Sequence, residues 1–303
     1  MGSSTLDKRD AVGMVGLGIM GSAMAGHLAK AGRRVYGADV SVVARKKMAR
    51  VLTAVDGDMD KCLDNSGVVI TSLPSVAALN NVVDQVLAWR QRNPKALVIA
   101  ETSTLPHADK VAARQRLADS GVGFLDCPLS GTGAQARKKD LAVYASGEKK
   151  LIAKVKPIFL DCARVVYDVG AFGNGTHMKL VANLLVALHN VSSAEALLFG
   201  TRLGLDPMQM VSVLPDGAGG SRMLEVRGPV MAKRQWKDPA MKVEVWQKDM
   251  QIIGQALKDA QVPAPLFAAS VPIYVAAMAQ GHALHDTAAV YAVLERMAGA
   301  RGD

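Results

Sequence analysis

The segment that most constrains the fold lies near the start of the chain, where a short apolar run leads into the glycine pattern GLGIMG. The run over residues 12–15 is typical of a buried strand. Gly16, Gly18 and Gly21 fill the three glycine positions of G-x-G-x-x-G, which allow a tight turn, the approach of a pyrophosphate and close packing of the next helix. That helix, SAMAGHLAKAG, would offer its first backbone amides to an anion.

Asp39 extends this pattern because it closes a second predicted strand, RRVYGAD, 18 residues after Gly21. A carboxylate there binds the ribose hydroxyls of adenosine and repels a 2′-phosphate. Arg45, Lys46 and Lys47 follow and are expected to face solvent. The ordered pattern predicts binding of NAD, preferred over NADP, with a glycine-rich turn in a plain α/β domain as the alternative. The predicted cofactor contacts in this segment are Gly16, Leu17, Gly18, Ile19, Met20, Gly21 and Asp39.

Short apolar strands alternate with helical stretches up to about residue 172. This order predicts an α/β fold with a doubly wound, mostly parallel sheet and helices on both faces. In such sheets ligands gather at the carboxyl ends of the strands. The strand ends beyond Asp39 are Leu73–Pro74, Thr102–Thr104 and Pro128–Gly131. The candidate strands are VGMVG, RVYGAD, VVITSLP, LVIAETS, FLDCPLSG, LAVYASG and RVVYDVG.

The second part of the chain carries only helical patterns. Apolar residues recur at helical spacing from about Thr176 to Leu203, which predicts one long helix, and proline or glycine breaks separate the helices that follow. A length of 303 residues, half of them hydrophobic, is enough for two cores. The predicted domains are a dinucleotide-binding domain over residues 11–172 and an all-helical substrate and dimerisation domain over residues 173–303, with a homodimer or homotetramer expected.

Charge and cysteine content narrow the class of protein further. The formal net charge is +9, but the basic residues lie in short groups without interleaved aromatics, so nucleic-acid binding is not expected. The three cysteines lack metal-ligand spacing, and the six histidines form no ligand set, so no metal site is predicted. The odd cysteine number fits a reduced, cytoplasmic compartment. The polar start and the lack of a long unbroken apolar run predict neither a signal peptide nor a membrane span.

Lys179 and Asn183 are the candidate catalytic pair. They stand four residues apart near the start of the long predicted helix, a spacing that places both on one face. The glycines at 173 and 175 predict a hinge before this helix, at a domain boundary where a cleft is expected. A lysine ammonium can stabilise a developing alkoxide and give up a proton, and an asparagine can orient a hydroxyl. From spacing alone, a solvated surface lysine stays the alternative interpretation.

Four motifs in order resemble the β-hydroxyacid dehydrogenase family, which includes 3-hydroxyisobutyrate dehydrogenases and tartronate semialdehyde reductases. The family's opening fingerprint resembles residues 12–32, and its substrate loop D-x-P-V-S-G-G resembles DCPLSGT at residues 126–132. Its helix motif G-x-G-x-x-x-K-x-x-N-N resembles GNGTHMKLVAN at residues 173–183, and its late K-D pair resembles Lys248-Asp249. The resemblance runs from about residue 11 to 297. It implies a Rossmann-type domain followed by a helical domain like that of 6-phosphogluconate dehydrogenase.

The resemblance also implies an activity: NAD-dependent hydride transfer to or from a small carboxylate substrate, either a β-hydroxyacid or the matching semialdehyde. Lys179 would be the catalytic lysine and Asn183 its substrate-orienting companion. The substrate carboxylate would bind the loop at residues 130–132. The implied substrate-binding residues are Ser130, Gly131, Thr132 and Lys248, and the further cofactor contacts are Leu73, Pro74, Thr104, Lys248 and Asp249.

Departures from the family pattern concern the substrate rather than the hydride chemistry. Thr132 stands at the second glycine of S-G-G, and Ala182 at the first asparagine of the family's pair. Arg137, Lys138 and Lys139 replace small residues, either as exposed surface charge or as a contact to a further anionic group. Two other classes stay open. One is a non-catalytic dinucleotide-binding module that recognises a partner, and the other is an imine reductase, although that group usually replaces the lysine that this chain retains.

Overall fold

A six-stranded parallel sheet forms the first part of the protein, for which the computed structural model describes residues 11–299 of the chain. The strands are β1 (Val12–Val15), β2 (Val35–Ala38), β3 (Ala54–Asp56), β4 (Val68–Thr71), β5 (Val98–Glu101) and β6 (Gly123–Asp126). They lie in the order β3-β2-β1-β4-β5-β6, and each neighbouring pair is parallel. This is the strand order of the doubly wound dinucleotide-binding fold, so the predicted fold class is confirmed.

Burial explains which strands the sequence predicts. Every residue of β1, β4 and β5 is buried, and strands covered on both faces appear in a sequence as continuous apolar runs. The edge strand β3 has only three residues, all half-buried, and ends in an aspartate. It therefore lacks the apolar run that marks the other strands, and the sequence pattern did not predict it.

Helices cover both faces of the sheet. Those of the first part are α1 (Ile19–Lys30), α2 (Val42–Met48), α3 (Asp60–Asn65), α4 (Val76–Arg90), α5 (His107–Ala118), α6 (Gly133–Arg137) and α7 (Lys149–Leu160). The buried apolar residues of the strands belong to two clusters. Ile70 of β4 packs in the cluster that includes Leu28 of α1, whereas its neighbour Val69 packs with Val83 and Trp89 of α4. Adjacent residues of one strand thus face opposite layers, as the pleat requires.

A second, three-stranded sheet corrects one prediction. It consists of β7 (Leu129–Ser130), β8 (Ala142–Ala145) and β9 (Val165–Asp168), with β7 antiparallel and β9 parallel to β8. The prediction of FLDCPLSG as a single strand is therefore wrong. The first half of this segment is β6 and its second half is β7. Pro128 stands between them, and its lack of an N–H ends the pairing of β6.

Among the remaining described residues the regular elements are helices, as predicted. They are α8 (Asn174–Arg202), α9 (Pro207–Val213), α10 (Arg222–Ala232), α11 (Val243–Asp259), α12 (Pro265–Ala279) and α13 (Val290–Met297). Their shared core includes Leu197, Trp246, Tyr274 and Tyr291. The predicted long helix is confirmed as α8, which has 29 residues. Contacts divide the chain into two compact units after Lys179, within α8, and the domain boundary at residue 172 stays a prediction.

Length and composition alone would let α8 cross a membrane, and it is the one helix among residues 11–299 that meets this test. The core helix of a water-soluble bundle meets the same test. Ala187, Val191 and Ala194 of α8 are buried in the apolar cluster of the helical part. The helix is therefore not evidence for a membrane span.

The three cysteines are buried and unpaired. Burial raises the pKa of Cys62 to about 12 and that of Cys162 to about 12, and it also raises the pKa of Cys127. Thiols held in the protonated form are poor nucleophiles and poor metal ligands. These cysteines act as small apolar core residues.

Candidate cofactor and substrate site

The glycine turn between β1 and α1 has the backbone that the fingerprint predicts. Gly16 has a φ of +88°, and a Cβ there would lie 2.1 Å from the carbonyl oxygen of Ser72. A Cβ at Gly21 would lie 1.9 Å from the carbonyl oxygen of Gly16. A Cβ at Gly18 would meet no atom within 4 Å. The protein itself thus gives no steric reason for Gly18, whereas a pyrophosphate seated at the start of α1 would give one.

The Asp39 carboxylate is fixed at the end of β2 by two backbone amides. The N–H of Leu17, in the glycine turn, donates to Oδ2 over 2.6 Å, and the N–H of Ser41 donates to Oδ1 over 2.7 Å. Asp39 is half-buried, so its remaining lone pairs can accept from further donors. The predicted ribose-binding carboxylate is therefore joined directly to the predicted pyrophosphate turn.

Arg45 does not face solvent as predicted. Its Nη1 donates to the carbonyl oxygen of Asp39 over 2.7 Å and to that of Val40 over 3.0 Å, and the side chain is half-buried. The sequence argument failed because an arginine one turn into α2 is long enough to return to the loop that precedes the helix. The prediction is confirmed for Lys46 and Lys47, which are exposed.

The next two strand ends are linked to each other. The N–H of Leu73, after β4, donates to Oγ of Ser103, after β5, over 2.7 Å. Pro74 is exposed, and Thr104 is half-buried. The structure thus brings together the two loops on which Leu73, Pro74 and Thr104 were predicted to contact a cofactor, at the carboxyl edge of the sheet.

The DCPLSGT loop runs through β7 into α6. Ser130 pairs with Ala142 of β8 and is half-buried. Gly131 has a φ of +139°, a conformation that favours glycine. The Thr132 hydroxyl accepts from the N–H of Gln135 over 3.3 Å, and the Gln135 side chain accepts from the N–H of Thr132 over 3.0 Å. Thr132 therefore caps α6, a role that its predicted contact with substrate did not include.

Arg137, Lys138 and Lys139, at the end of α6, are all exposed. Surface charge was the first of the two interpretations offered for this group. The exposure agrees with that interpretation, and a contact of Arg137 with a further anionic group stays a prediction.

A fully buried ionic triad lies behind these loops, and sequence reasoning missed it. Nζ of Lys110, on α5, lies 2.7 Å from Oε2 of Glu101 and 2.8 Å from Oδ1 of Asp126, and all three side chains have 0% exposure. Burial alone would lower the pKa of Lys110, but the two carboxylates outweigh it and raise that pKa, so the lysine is charged. The available signal was a carboxylate at the end of each of two otherwise apolar strands, LVIAE and FLD.

The triad also holds the start of α8. Oδ2 of Asp126 accepts from the N–H of Thr176 over 2.7 Å, and Oδ1 accepts from its hydroxyl over 2.9 Å. Ser146 Oγ accepts from the N–H of Gly175 over 3.0 Å. A Cβ at Gly175 would lie 2.7 Å from the carbonyl oxygen of Asp126, so this glycine permits close packing. The predicted hinge is a tightly packed junction, and Lys179 follows one helical turn after it, half-buried.

Of the two predicted residues on α11, Asp249 contacts both Asn183 and Lys248. Nδ2 of Asn183 donates to Oδ2 of Asp249 over 3.1 Å, and Nζ of Lys248 lies 3.5 Å from Oδ1 of the same carboxylate. Asn183 is 3% exposed and Asp249 7%, whereas Lys248 is half-buried. Asp249 therefore supports both Lys248 and Asn183, two residues 65 positions apart in sequence that the motifs had predicted separately.

Sequence reasoning assigned no role to the histidines, and the structure pairs two of them. The rings of His107 and His177 lie 4.5 Å apart between centroids. A Cβ at Gly173 would lie 2.1 Å from Cε1 of His107, which is a second reason for the glycine-rich approach to α8. Among the described residues, no group of three or more His, Cys, Asp or Glu side chains could hold a metal ion.

Two protein-family models together match nearly all of the chain that the structure describes. A family model described as the NAD binding domain of 6-phosphogluconate dehydrogenase matches residues 11–170, more than half of the chain. A second, described as NAD-binding of NADP-dependent 3-hydroxyisobutyrate dehydrogenase, matches residues 173–294. The chain belongs to the β-hydroxyacid dehydrogenase family.

Relatives of this β-hydroxyacid dehydrogenase act on several hydroxyacids. It is 28% identical to the 2-hydroxy-3-oxopropionate reductase of Escherichia coli over 95% of this chain and 98% of the relative. It is 29% identical to the L-threonate dehydrogenase of Cupriavidus necator over 92% and 94%. A solved structure of Mycobacterium tuberculosis 3-hydroxyisobutyrate dehydrogenase with L-serine matches with a TM-score of 0.82 at 25% identity, over 94% of this chain and 99% of that one.

The family and the geometry agree on the cofactor class. The β-hydroxyacid dehydrogenase is an NAD(P)-dependent oxidoreductase that acts on a CH–OH group. Its residues fit the cofactor because Gly18 leaves the start of α1 open and Asp39 is held against the glycine turn.

Proposed function

We propose that this protein oxidises a small β-hydroxyacid of the 3-hydroxyisobutyrate type with NAD, or reduces the matching semialdehyde in the reverse direction. The observation that carries the proposal is the contact of Asn183 and Lys248 with one buried carboxylate, Asp249. Two family motifs that are far apart in sequence thus form one cluster of donors. Lys179 stands four residues before Asn183 on α8, a spacing that places both side chains on one face of the helix.

Lys179 is the proposed acid and base. When bound, the nicotinamide accepts or supplies the hydride at the carbon that bears the hydroxyl. In the oxidative direction the neutral Lys179 amine takes the hydroxyl proton, and in the reductive direction its ammonium polarises the carbonyl oxygen and returns a proton. Asn183, fixed by Asp249, orients the reacting oxygen through its amide.

The loop formed by Ser130, Gly131 and Thr132 is proposed to bind the substrate carboxylate. The Ser130 hydroxyl and the N–H of Gly131 are neutral donors suited to one carboxylate, and they hold the reacting carbon in a single orientation. The Thr132 hydroxyl already caps α6, so its contribution is to fix the loop through Gln135. Lys248, a half-buried residue of α11, is the proposed source of the positive charge that one carboxylate requires.

NAD is the proposed cofactor, in preference to NADP. Both Asp39 oxygens are held by backbone amides, so the carboxylate cannot rotate away from a ribose at the end of β2. A 2′-phosphate there would meet this fixed negative charge. The Arg45 guanidinium keeps its charge while it donates to the carbonyl oxygens of Asp39 and Val40, and it offsets part of that repulsion.

The proposed domain assignment separates cofactor binding from substrate binding and dimerisation. Residues 11–172 are the proposed dinucleotide-binding domain, and residues 173–303 are the proposed all-helical substrate and dimerisation domain of a homodimer or homotetramer. The proposed setting is the cytoplasm, where no membrane or nucleic-acid partner is needed. The sequence features behind these assignments are the odd number of cysteines and the dispersed basic residues.

A substrate panel tests the proposal. The purified protein is mixed with NAD or NADP and with 3-hydroxyisobutyrate, threonate, glycerate and 2-(hydroxymethyl)glutarate, and formation of the reduced cofactor is followed. Hydride transfer to NAD with at least one β-hydroxyacid is expected. Cofactor binding by calorimetry without turnover of any hydroxyacid or semialdehyde would instead support a non-catalytic module, and turnover of cyclic imines alone would support an imine reductase.

A further inference from the structure

We infer that Asp126 and Ser103 are positioning residues of the reaction: through the buried triad Glu101–Lys110–Asp126 they hold the first turn of α8 and the cofactor-facing loops in one frame. The inference rests on the proposed role of Lys179 as the acid and base. It assigns to the triad a task in geometry rather than in proton transfer, since all three charges are buried.

One set of contacts, called here the helix arm, links Asp126 to Thr176 at the start of α8. The two carboxylate oxygens of Asp126 accept from the backbone N–H and the hydroxyl of Thr176, at 2.7 and 2.9 Å. The first-turn amides of a helix have no partner within the helix, and a carboxylate beside them is favoured by the helix dipole. Lys179 lies three residues beyond Thr176. A shift of the first turn of α8 therefore displaces the lysine by a comparable distance.

A second set of contacts, called here the cofactor arm, links Glu101 and Lys110 to Ser103 in the loop after β5. Oε1 of Glu101 accepts from the N–H of Ser103 over 2.8 Å, and Nζ of Lys110 donates to the carbonyl oxygen of Ser103 over 2.7 Å. The Ser103 hydroxyl in turn accepts from the N–H of Leu73. The peptide groups on both sides of Ser103 are thus fixed by charged side chains, and the loop that carries Leu73 is fixed to them.

Stability alone is a poor reason for this arrangement. Replacing a buried ion pair with well-packed apolar residues is often neutral or stabilising, because the charges lose their hydration on burial. Charged groups make directional hydrogen bonds that apolar packing cannot reproduce. Lys110 joins the two arms by contacting both Asp126 and Ser103, so the triad sets the position of Lys179 relative to the cofactor loops.

Two conservative variants separate the arms in steady-state kinetics with NAD and a hydroxyacid substrate. Thr176→Val removes only the hydroxyl donor to Asp126, and kcat is expected to fall roughly 10-fold with an unchanged KM for NAD, since misplacement of about 1 Å costs up to ~10²-fold. Ser103→Ala removes the acceptor of Leu73, and the KM for NAD is expected to rise roughly 2- to 10-fold with a smaller change in kcat.

Controls distinguish positioning from a general loss of structure. Thr176→Ser keeps the hydroxyl and is expected to restore kcat. Thr201→Val is the matched control on the same helix, because its hydroxyl donates only to the Leu197 carbonyl within α8, and it is expected to leave kcat and KM unchanged. Thermal unfolding of each variant shows that the protein is folded at the assay temperature.

The outcomes are distinct. Wild-type kinetics for Thr176→Val, or equal changes of kcat and KM in both variants, would overturn the inference. Retention of activity by Lys179→Ala would instead overturn the proposed function, whatever the two conservative variants do. Loss of turnover in Lys179→Ala, together with an effect of Thr176→Val on kcat and of Ser103→Ala on the KM for NAD, supports both the inference and the proposed function.

Discussion

Asn183 on α8 donates a hydrogen bond from Nδ2 to Oδ2 of Asp249 on α11 over 3.1 Å, and both side chains are buried. The other oxygen of Asp249 faces the Lys248 ammonium at 3.5 Å. One carboxylate therefore fixes an amide and a cation that both belong to the proposed site. Removal of the Asp249 charge should therefore affect the positions of both the Asn183 amide and the Lys248 ammonium.

Asp249→Asn tests this relationship. The neutral amide keeps the size of the side chain but loses the attraction for Lys248 and offers a poorer acceptor to Asn183. We expect kcat/KM for the hydroxyacid to fall about 10-fold or more, the equivalent of one hydrogen bond to a charged group. Asp259→Asn is the matched control, since this exposed residue on α11 accepts from Gln255. Equal effects of the two substitutions would contradict the assignment.

Ser130→Ala tests the carboxylate-binding loop. If the hydroxyl only binds substrate, the KM for the hydroxyacid should rise about 10-fold or more while kcat changes less, because a hydrogen bond to a charged group is worth roughly 1.5–3 kcal/mol. Initial rates over a range of substrate concentration measure both constants. Ser212→Ala, which removes an exposed hydroxyl on α9, serves as the control. An unchanged kcat/KM would remove Ser130 from the site.

Asp39→Ala tests the cofactor preference. The wild-type protein should show a higher kcat/KM with NAD than with NADP, and the variant should lower that ratio at least about 10-fold because it loses the ribose acceptor and the repulsion of a 2′-phosphate. Asp58→Ala, at a nearby exposed aspartate, should leave the ratio unchanged. Equal or better use of NADP by the wild type would refute the preference.

The His107–His177 pair predicts a pH dependence of stability. Burial and, next, the charge of His177 lower the pKa of His107. The unfolded chain therefore takes up a proton at this position first as the pH falls through about 6.5, and the free energy of unfolding should decrease from about pH 7.5 to about pH 5.5. The pKa of His282 is also lowered, by burial and by His285, so it adds to the decrease.

Urea unfolding at several pH values measures this effect. His107→Gln removes one of the two groups, so its stability should fall less steeply with decreasing pH than that of the wild type. Parallel curves for the two proteins would show that His107 does not contribute.

The sequence predicted the residues whose environment is set locally. The glycine turn, Asp39 and the helix that carries Lys179 follow from strand burial, tight turns and helical spacing, all of which are visible within a few tens of residues. The motif resemblance then supplied Ser130 and Lys248. Each of these lies at a strand end, in a turn or on a helix as predicted, although Ser130 ends the separate strand β7 and not a continuation of β6.

The triad and the packed start of α8 could not be predicted in this way. Lys110 sits among polar residues of α5 and resembles a surface lysine until the fold brings Glu101 and Asp126 to it. Arg45 was misplaced for a similar reason, because the reach of its side chain, not its helical position, decides its contacts. Long polar side chains with distant partners are what local patterns do not encode.

Lys179→Ala is the most direct test of the account. The variant should lose about two to four orders of magnitude in kcat, the usual loss on removal of a positioned acid or base, while calorimetry shows NAD affinity close to that of the wild type. Single-turnover measurements with saturating NAD and hydroxyacid separate the hydride step from product release. A hydride-transfer rate close to that of the wild type would contradict the proposal that Lys179 carries the proton.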